Sequence, residues 1–136
     1  KELGIGFVPY SPLGRGFLTG RFQDTSDFGE DDFRPNLPRF SEQAMGANRR
    51  IADVIGEVAA LKGCTPAQLS LAWLLSKSDN IVPIPGTKRL RYLEENAAAT
   101  SITLTTDEQE QLETATVDLP VTGERYTPEG MKGVNA

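Results

Sequence analysis

Residues 81–91 read Ile-Val-Pro-Ile-Pro-Gly-Thr-Lys-Arg-Leu-Arg, and this stretch decides the fold. The run Ile81-Val82-Pro83-Ile84, stopped by Pro85-Gly86, predicts a short buried strand. Thr87 then offers a hydroxyl cap to a helix from about Lys88 to Ala99, with Leu90, Leu93 and Ala97 on one face. In such a turn the unpaired amides of the helix start and the helix dipole favour an anion. Gly86 lets backbone come close to it, and Lys88, Arg89 and Arg91 lie within four residues of one another in a chain of net charge −5. That combination points to a phosphate, although a surface helix start with solvated charges has the same spacing.

Upstream, Thr65-Pro66-Ala67-Gln68 combines a hydroxyl cap, a proline in the first helical position and a Gln that closes a capping box. The helix it starts runs to about Lys77, buries Leu69, Ala72, Trp73 and Leu75, and ends at Ser78-Asp79-Asn80. Before it, Ile51, Val54, Ile55, Val58 and Leu61 recur at helical spacing, with Gly63 as the stop. Residues 14–40 are rich in Gly, Pro, Asp and Arg without a sustained period, a long loop of the kind that forms lids. The chain opens with Ile5-Gly6-Phe7-Val8-Pro9-Tyr10, a second strand buried on both faces, with Pro9 marking the end of its hydrogen bonding. Its exit, Ser11-Pro12-Leu13-Gly14-Arg15-Gly16, carries a hydroxyl, two glycines and a cation, with Arg21 further on, and allows a second anion contact.

Downstream, a last helix starts at Thr106 with acidic residues in its first turn and ends before Leu119-Pro120. Residues 120–136 read as a loose tail. The order strand, long loop, helix pair, strand, Gly turn, helix, helix is that of parallel strands in an α/β protein. Two parallel strands cannot build a sheet covered on both faces, so their partners are expected in sequence outside this chain. Residue 1 is not Met, and we read the chain as the end of a larger α/β domain. In a (β/α)8 barrel the turns after the seventh and eighth strands meet at a phosphate site, which fits this order.

Several classes are excluded. The chain has 14 Lys and Arg against 19 Asp and Glu, an acidic balance that disfavours nucleic acid as a partner. Its longest apolar runs fall far short of a membrane span, and no secretory signal opens it. It contains no His and one Cys, Cys64, which rules out a disulfide framework and any His-containing metal site or triad and fits a reducing, cytoplasmic compartment. Gly14-x-Gly16 does not complete the dinucleotide fingerprint, there is no P-loop, and the acidic residues from Asp24 lack EF-hand spacing. No metal site is expected.

Four separated motifs are similar to the aldo-keto reductases, in that family's order and over nearly the whole chain: Tyr10-Ser-Pro-Leu-Gly-Arg-Gly-Phe-Leu-Thr-Gly20, Pro38-Arg39-Phe40, Thr65-Pro-Ala-Gln-Leu-Ser-Leu-Ala-Trp73, and Ile84-Pro-Gly-Thr-Lys-Arg89 with Leu93-Glu-Glu-Asn96. The resemblance implies an α/β chain forming the C-terminal part of a (β/α)8 TIM barrel, residues 1–136, with strands seven and eight starting near Ile5 and Ile81. The N-terminal part of the barrel would lie outside the chain, together with the family's catalytic Asp, Tyr, Lys and His. It implies an NADPH-dependent oxidoreductase that reduces aldehydes or ketones, with this segment supplying cofactor binding. Tyr10 is then the ring stacked on the nicotinamide, while Ser11, Pro12, Leu13, Gly14 and Gly16 wrap the pyrophosphate with help from Arg21. Arg34 closes the lid. Gly86, Thr87, Lys88 and Arg89 cradle the 2′-phosphate, Glu95 and Asn96 bind the adenine, and Tyr92 stands where many relatives have Arg. The partners implied are a small carbonyl substrate and the missing barrel segment. A nucleotide-binding regulatory subunit or non-catalytic fragment of the same fold, and a phosphate-binding barrel of other chemistry, are the competing readings.

Overall fold

The computed structural model describes residues 1–117 and 119–134. Helix α1 spans Glu42–Lys62, α2 Pro66–Lys77, α3 Leu90–Ala98, α4 Thr106–Val117 and α5 Pro128–Met131. Residues before α1 carry four short 3-10 turns, at Gly14–Thr19, Thr25–Asp27, Arg34–Asn36 and Pro38–Phe40, so the expected long loop is a string of tight turns.

The helix pair α1 and α2 forms the centre. Ser41 accepts the Ala44 N–H to start α1, about two and a half turns ahead of the periodic apolar residues that begin at Ile51, and Gly63 ends it at φ 70°. At α2 both bonds of the capping box are present: Thr65 Oγ1 accepts the Gln68 N–H at 3.2 Å, and Gln68 Oε1 accepts the Thr65 N–H at 3.0 Å. Ile51, Ile55 and Val58 of α1 meet Leu69 and Ala72 of α2, with Leu104 and Leu112 closing the cluster from the side of α4. Leu61 lies outside this core, 86% exposed, because the helix presents it to solvent. Helix α4 begins with a reciprocal pair between Thr105 and Glu108, and Lys62 Nζ bonds the same Glu108 at 2.7 Å. A second cluster joins Phe22, Phe40 and Met45, with Phe17, Phe28 and Leu37 packed on it, and anchors the 3-10 turns to α1.

The expectation of two buried strands is corrected. Residues 5–10 and 81–84 are extended, yet only a single parallel bridge, Phe7 with Ile81, joins them among the described residues. Its two bonds run from the Phe7 N–H to the Asn80 carbonyl at 2.7 Å and from the Val82 N–H to the Phe7 carbonyl at 2.9 Å. Ile5, Phe7, Val8, Val82 and Ile84 are all exposed. Two extended segments without neighbours have nothing to cover either face, and pairing does not propagate.

Two further expectations change. Helix α3 starts at Leu90, since Thr87 accepts the Arg89 N–H in a local turn and does not cap the helix. Leu90, Leu93 and Ala97 share one face, as their spacing predicts, and that face looks to solvent, while the Tyr92, Glu95 and Asn96 side turns toward α2. The tail is held: Asn48, buried in α1, donates to the Thr122 carbonyl at 2.9 Å and accepts the Thr122 N–H at 2.8 Å. Arg39 Nε adds a bond to the Gly123 carbonyl at 3.1 Å. The last two residues of that tail lie outside the described residues.

Candidate functional site

A groove of about 1020 Å³ runs between the exit of the first extended segment, the turns at residues 31–34, the start of α2 and the turn into α3. Its floor begins at the loop Ser11–Gly16. Ser11 and Arg15 sit at φ 49° and 55°, and Gly14 and Gly16 at 57° and 93°. Non-glycine residues rarely adopt this left-handed region, and such strain collects at ligand-binding turns. Gly16 is also sterically required: a Cβ there would lie 2.9 Å from the Phe22 ring and 3.4 Å from Arg34. The amides of Ser11, Leu13 and Arg15 have no acceptor among the described residues.

The far wall is the turn at 85–87 and one face of α3. A Cβ on Gly86 would meet nothing within 4 Å, so the space above its backbone is open. The amides of Lys88, Leu90 and Arg91 have no acceptor among the described residues. Arg91, Tyr92, Glu95 and Asn96 line the groove from one helix face, as residues three to five apart do. Glu95 is fixed from α2: Thr65 Oγ1 donates to its carboxylate at 2.8 Å, and Gln68 Nε2 donates to its carbonyl at 3.2 Å. The capping box of α2 therefore also positions a groove residue.

Arg34 holds the near rim. It forms a bidentate pair with Asp32 and donates from Nη1 to the Arg15 carbonyl at 3.0 Å, with its guanidinium 4.0 Å from the Phe22 ring centre. The hydrogen bonds from Arg34 lower the Asp32 carboxyl to about 2. With its donors committed in this way, Arg34 braces the turn over the loop at 15–16.

Of the residues singled out in the sequence, Ser11, Pro12, Leu13, Gly16, Arg21, Arg34, Gly86, Thr87, Tyr92, Glu95 and Asn96 all line this one groove. Lys88 and Arg89 are exposed beside it, outside its lining. Tyr10 and Gly14 line a neighbouring cavity of about 260 Å³, which shares Ser11 and Arg15 with the groove. Tyr10 Oη accepts a bond from Tyr126 Oη at 2.8 Å and another from Arg125 Nη1 at 3.3 Å, and the residue stays 44% exposed. The bond from Tyr126, with the Arg125 charge in support, draws the Tyr10 phenol below its ordinary value, and donating it raises that of Tyr126. The groove adds Thr65, Pro66 and Ala67 to the set, and of the cation cluster at 88–91 it takes in Arg91.

No group of three His, Cys, Asp or Glu among the described residues could hold a metal ion. No described helix is long and apolar enough to cross a membrane. Burial pushes the Cys64 thiol up, against reactivity.

The sequence profile of the Aldo/keto reductase family matches residues 1–116. Aldo-keto reductase yakc [NADP(+)] of Schizosaccharomyces pombe is 44% identical over 128 residues, which cover 94% of this chain and 38% of that protein. Aldo-keto reductase str7 of Strobilurus tenacellus is 39% identical over 128 residues, covering 92% of this chain and 37% of its own. The crystal structure of a thermostable aldo-keto reductase in complex with the inhibitor epalrestat superposes with a TM-score of 0.53 and 29% identity, over 84% of this chain and 31% of that one. The chain thus spans less than two fifths of the length of each of these relatives.

Proposed function

Because the chain belongs to the aldo/keto reductase family, whose fold is the (β/α)8 barrel, we propose that it is the C-terminal part of an NADP-dependent carbonyl reductase and supplies the cofactor-binding half. The observation that carries this reading is the convergence of four separated stretches on one groove: the loop at 11–16, the rim at Arg21 and Arg34, the turn at 86–87, and the face of α3. At about 1020 Å³ the groove stands at the upper end of the ~300–1,000 Å³ usual for ligand sites, as an extended dinucleotide requires.

In this reading the strained loop and Arg21 hold the pyrophosphate, with Arg34 bracing the rim. Gly86, Thr87, Lys88 and Arg89 take the 2′-phosphate, and Arg91 reinforces them from inside the groove. Glu95, held by Thr65, and Asn96 bind the adenine beside Tyr92. Tyr10 offers its ring to the nicotinamide. The bound cofactor supplies the hydride that, with one proton, converts an aldehyde or ketone to the alcohol. The catalytic Asp, Tyr, Lys and His implied by the family resemblance are assigned to barrel segments outside this chain, which has no His. The exposed apolar faces of residues 5–10 and 81–84 support the same assignment, as the surfaces on which neighbouring barrel strands would pack. The single, unreactive Cys64 fits a cytoplasmic enzyme.

Replacing Lys88 and Arg89 by Ala in the full-length protein tests the assignment. A charge-assisted contact is worth about 1.5–3 kcal/mol, so NADPH should bind about 10- to 150-fold more weakly while NADH is little changed. Equal loss for both nucleotides would reject the 2′-phosphate site. Turnover of a carbonyl substrate separates an enzyme from a regulatory nucleotide-binding subunit.

A further inference from the structure

We propose that a cavity of about 150 Å³ between α1, α2 and α4 is a second ligand site, which takes one neutral aromatic ring bearing a hydrogen-bond acceptor and steadies the loop at 11–16. The site stands apart from the reductase reading, and only its coupling to the nucleotide rests on that reading. Ile51 and Ile55 of α1, Leu69 of α2 and Leu112 of α4 form its walls, and Pro12 and Leu18 complete it. Neither Tyr10 nor any residue of the tail lines it, so it is not the 260 Å³ cavity. It is partly open, which gives a small molecule a way in. An apolar cavity of ~150 Å³ holds a benzene ring, and wall atoms that face empty space forfeit dispersion contacts that such a ring returns.

The polar atoms around the cavity define the ligand's chemistry. No charged side chain lines it, so a ligand seated there is neutral. Ser70 Oγ donates to the Pro66 carbonyl at 2.8 Å and Thr116 Oγ1 to the Leu112 carbonyl at 2.9 Å, which uses the single proton of each hydroxyl. The donor left over is Trp73, whose Nε1 is buried without an acceptor among the described residues. An indole nitrogen only donates, and a buried donor is costly until an acceptor meets it. Lys77, ion-paired with Glu113, lies 4.5 Å from the centre of the Trp73 ring and fixes that ring between α2 and α4. Pro12 lines both this cavity and the groove, and a Cβ on Gly14 would lie 3.4 Å from Leu18 Cγ. Ser11 and Arg15 of the same loop hold left-handed conformations, which persist only where the surrounding packing enforces them. A ring against Pro12 and Leu18 adds to that packing, so ligand and nucleotide favour each other's binding.

The test titrates the full-length protein with benzonitrile and with phenylacetylene, which has the same shape and a C–H in place of the acceptor nitrogen. The readout is the indole N–H resonance of Trp73, identified by its loss in Trp73→Phe, and calorimetry gives the affinities in the variant as well. Benzonitrile should move that resonance saturably downfield and bind about three- to tenfold more tightly than phenylacetylene. In Trp73→Phe the two ligands should bind alike, with NADPH binding showing that the variant is folded, while the wild-type ratio needs no variant. At saturating benzonitrile NADPH should bind about fivefold more tightly, and benzonitrile should gain the same factor from NADPH. No saturable change at Trp73 overturns the site and leaves the reductase reading standing. Equal affinity and an equal shift for both ligands overturn the acceptor assignment. An unchanged NADPH affinity overturns the coupling. A response at Trp73 in a protein that binds no NADPH supports the site and overturns the reductase reading, and the coupling with it.

Discussion

Leu69 in α2 has no exposed surface, whereas Phe7 in the first extended segment keeps 62% of its own exposed. Both are apolar residues in regular backbone, so the contrast lies in what each element needs from its neighbours. A helix satisfies its own backbone and needs cover on one face only, which α1, α2 and α4 give one another. An extended segment has two open edges and two faces, and its partners come from other segments. The helices cover one another's apolar faces, and residues 5–10 and 81–84 share a single bridge with their apolar side chains exposed among the described residues.

The largest expected effect would break this comparison. Phe40→Ala empties a buried aromatic site and should cost about 3–5 kcal/mol in denaturant unfolding of either this chain or the full-length protein. Phe7→Ala should cost a similar ~3–5 kcal/mol in the full-length protein if, as proposed, barrel strands cover it there, and less than ~0.5 kcal/mol in the 136-residue chain. Equal small effects of Phe7→Ala in both would mean that the extended segments are not barrel strands. A smaller effect sharpens the link between helix and groove. Thr65→Ala removes the cap of α2 at about 1 kcal/mol of stability, and also releases Glu95, so NADPH should bind more weakly than the stability loss alone would give. Unchanged NADPH affinity would separate Glu95 from the site.

The smallest effect concerns the rim. Arg34 lowers the folded-state value of Asp32 to about 2, so its contribution is fully present above the ordinary carboxylate range near ~4 and is lost as pH falls from there toward 2. Acid unfolding of Asp32→Asn should therefore be shallower than wild type across that window. A parallel acid limb in both proteins would show that the pair does not stabilise the fold.

The elements that sequence reading located best were those whose signals are local. At Thr65-Pro66-Ala67-Gln68 the cap, the proline and the box lie within four residues, and each bond is present. Short-range patterns alone singled out the strand exit at 11–16 with Arg21 and the turn at 86–91, and of these Ser11, Pro12, Leu13, Gly16, Arg21, Gly86, Thr87 and Arg91 line one groove while Lys88 and Arg89 lie beside it; Arg34, Tyr92, Glu95 and Asn96 were pointed to only by the family resemblance. What was missed depends on distance along the chain. Asn48 meets Thr122 across 74 positions, through one side chain and one backbone group, and no periodicity announces such a pair. The start of α1 at Glu42 was hidden because its first turns bury Ala44, Met45 and the polar Asn48, which do not form an apolar stripe. Leu90 and Leu93 were correctly placed on one face of α3, and that face is bare because helical spacing specifies which residues align, not what lies opposite.

The central claim is that the groove between the loop at 11–16 and the turn at 86–89 holds NADP. A crystal structure of the full-length protein with saturating NADP+ tests it most directly. The account predicts the 2′-phosphate against Gly86, Thr87, Lys88 and Arg89, the nicotinamide on Tyr10, and residues 5–10 and 81–84 as neighbouring parallel strands of a closed barrel. Nucleotide bound elsewhere with this groove empty, or the two segments left outside any sheet, would contradict it.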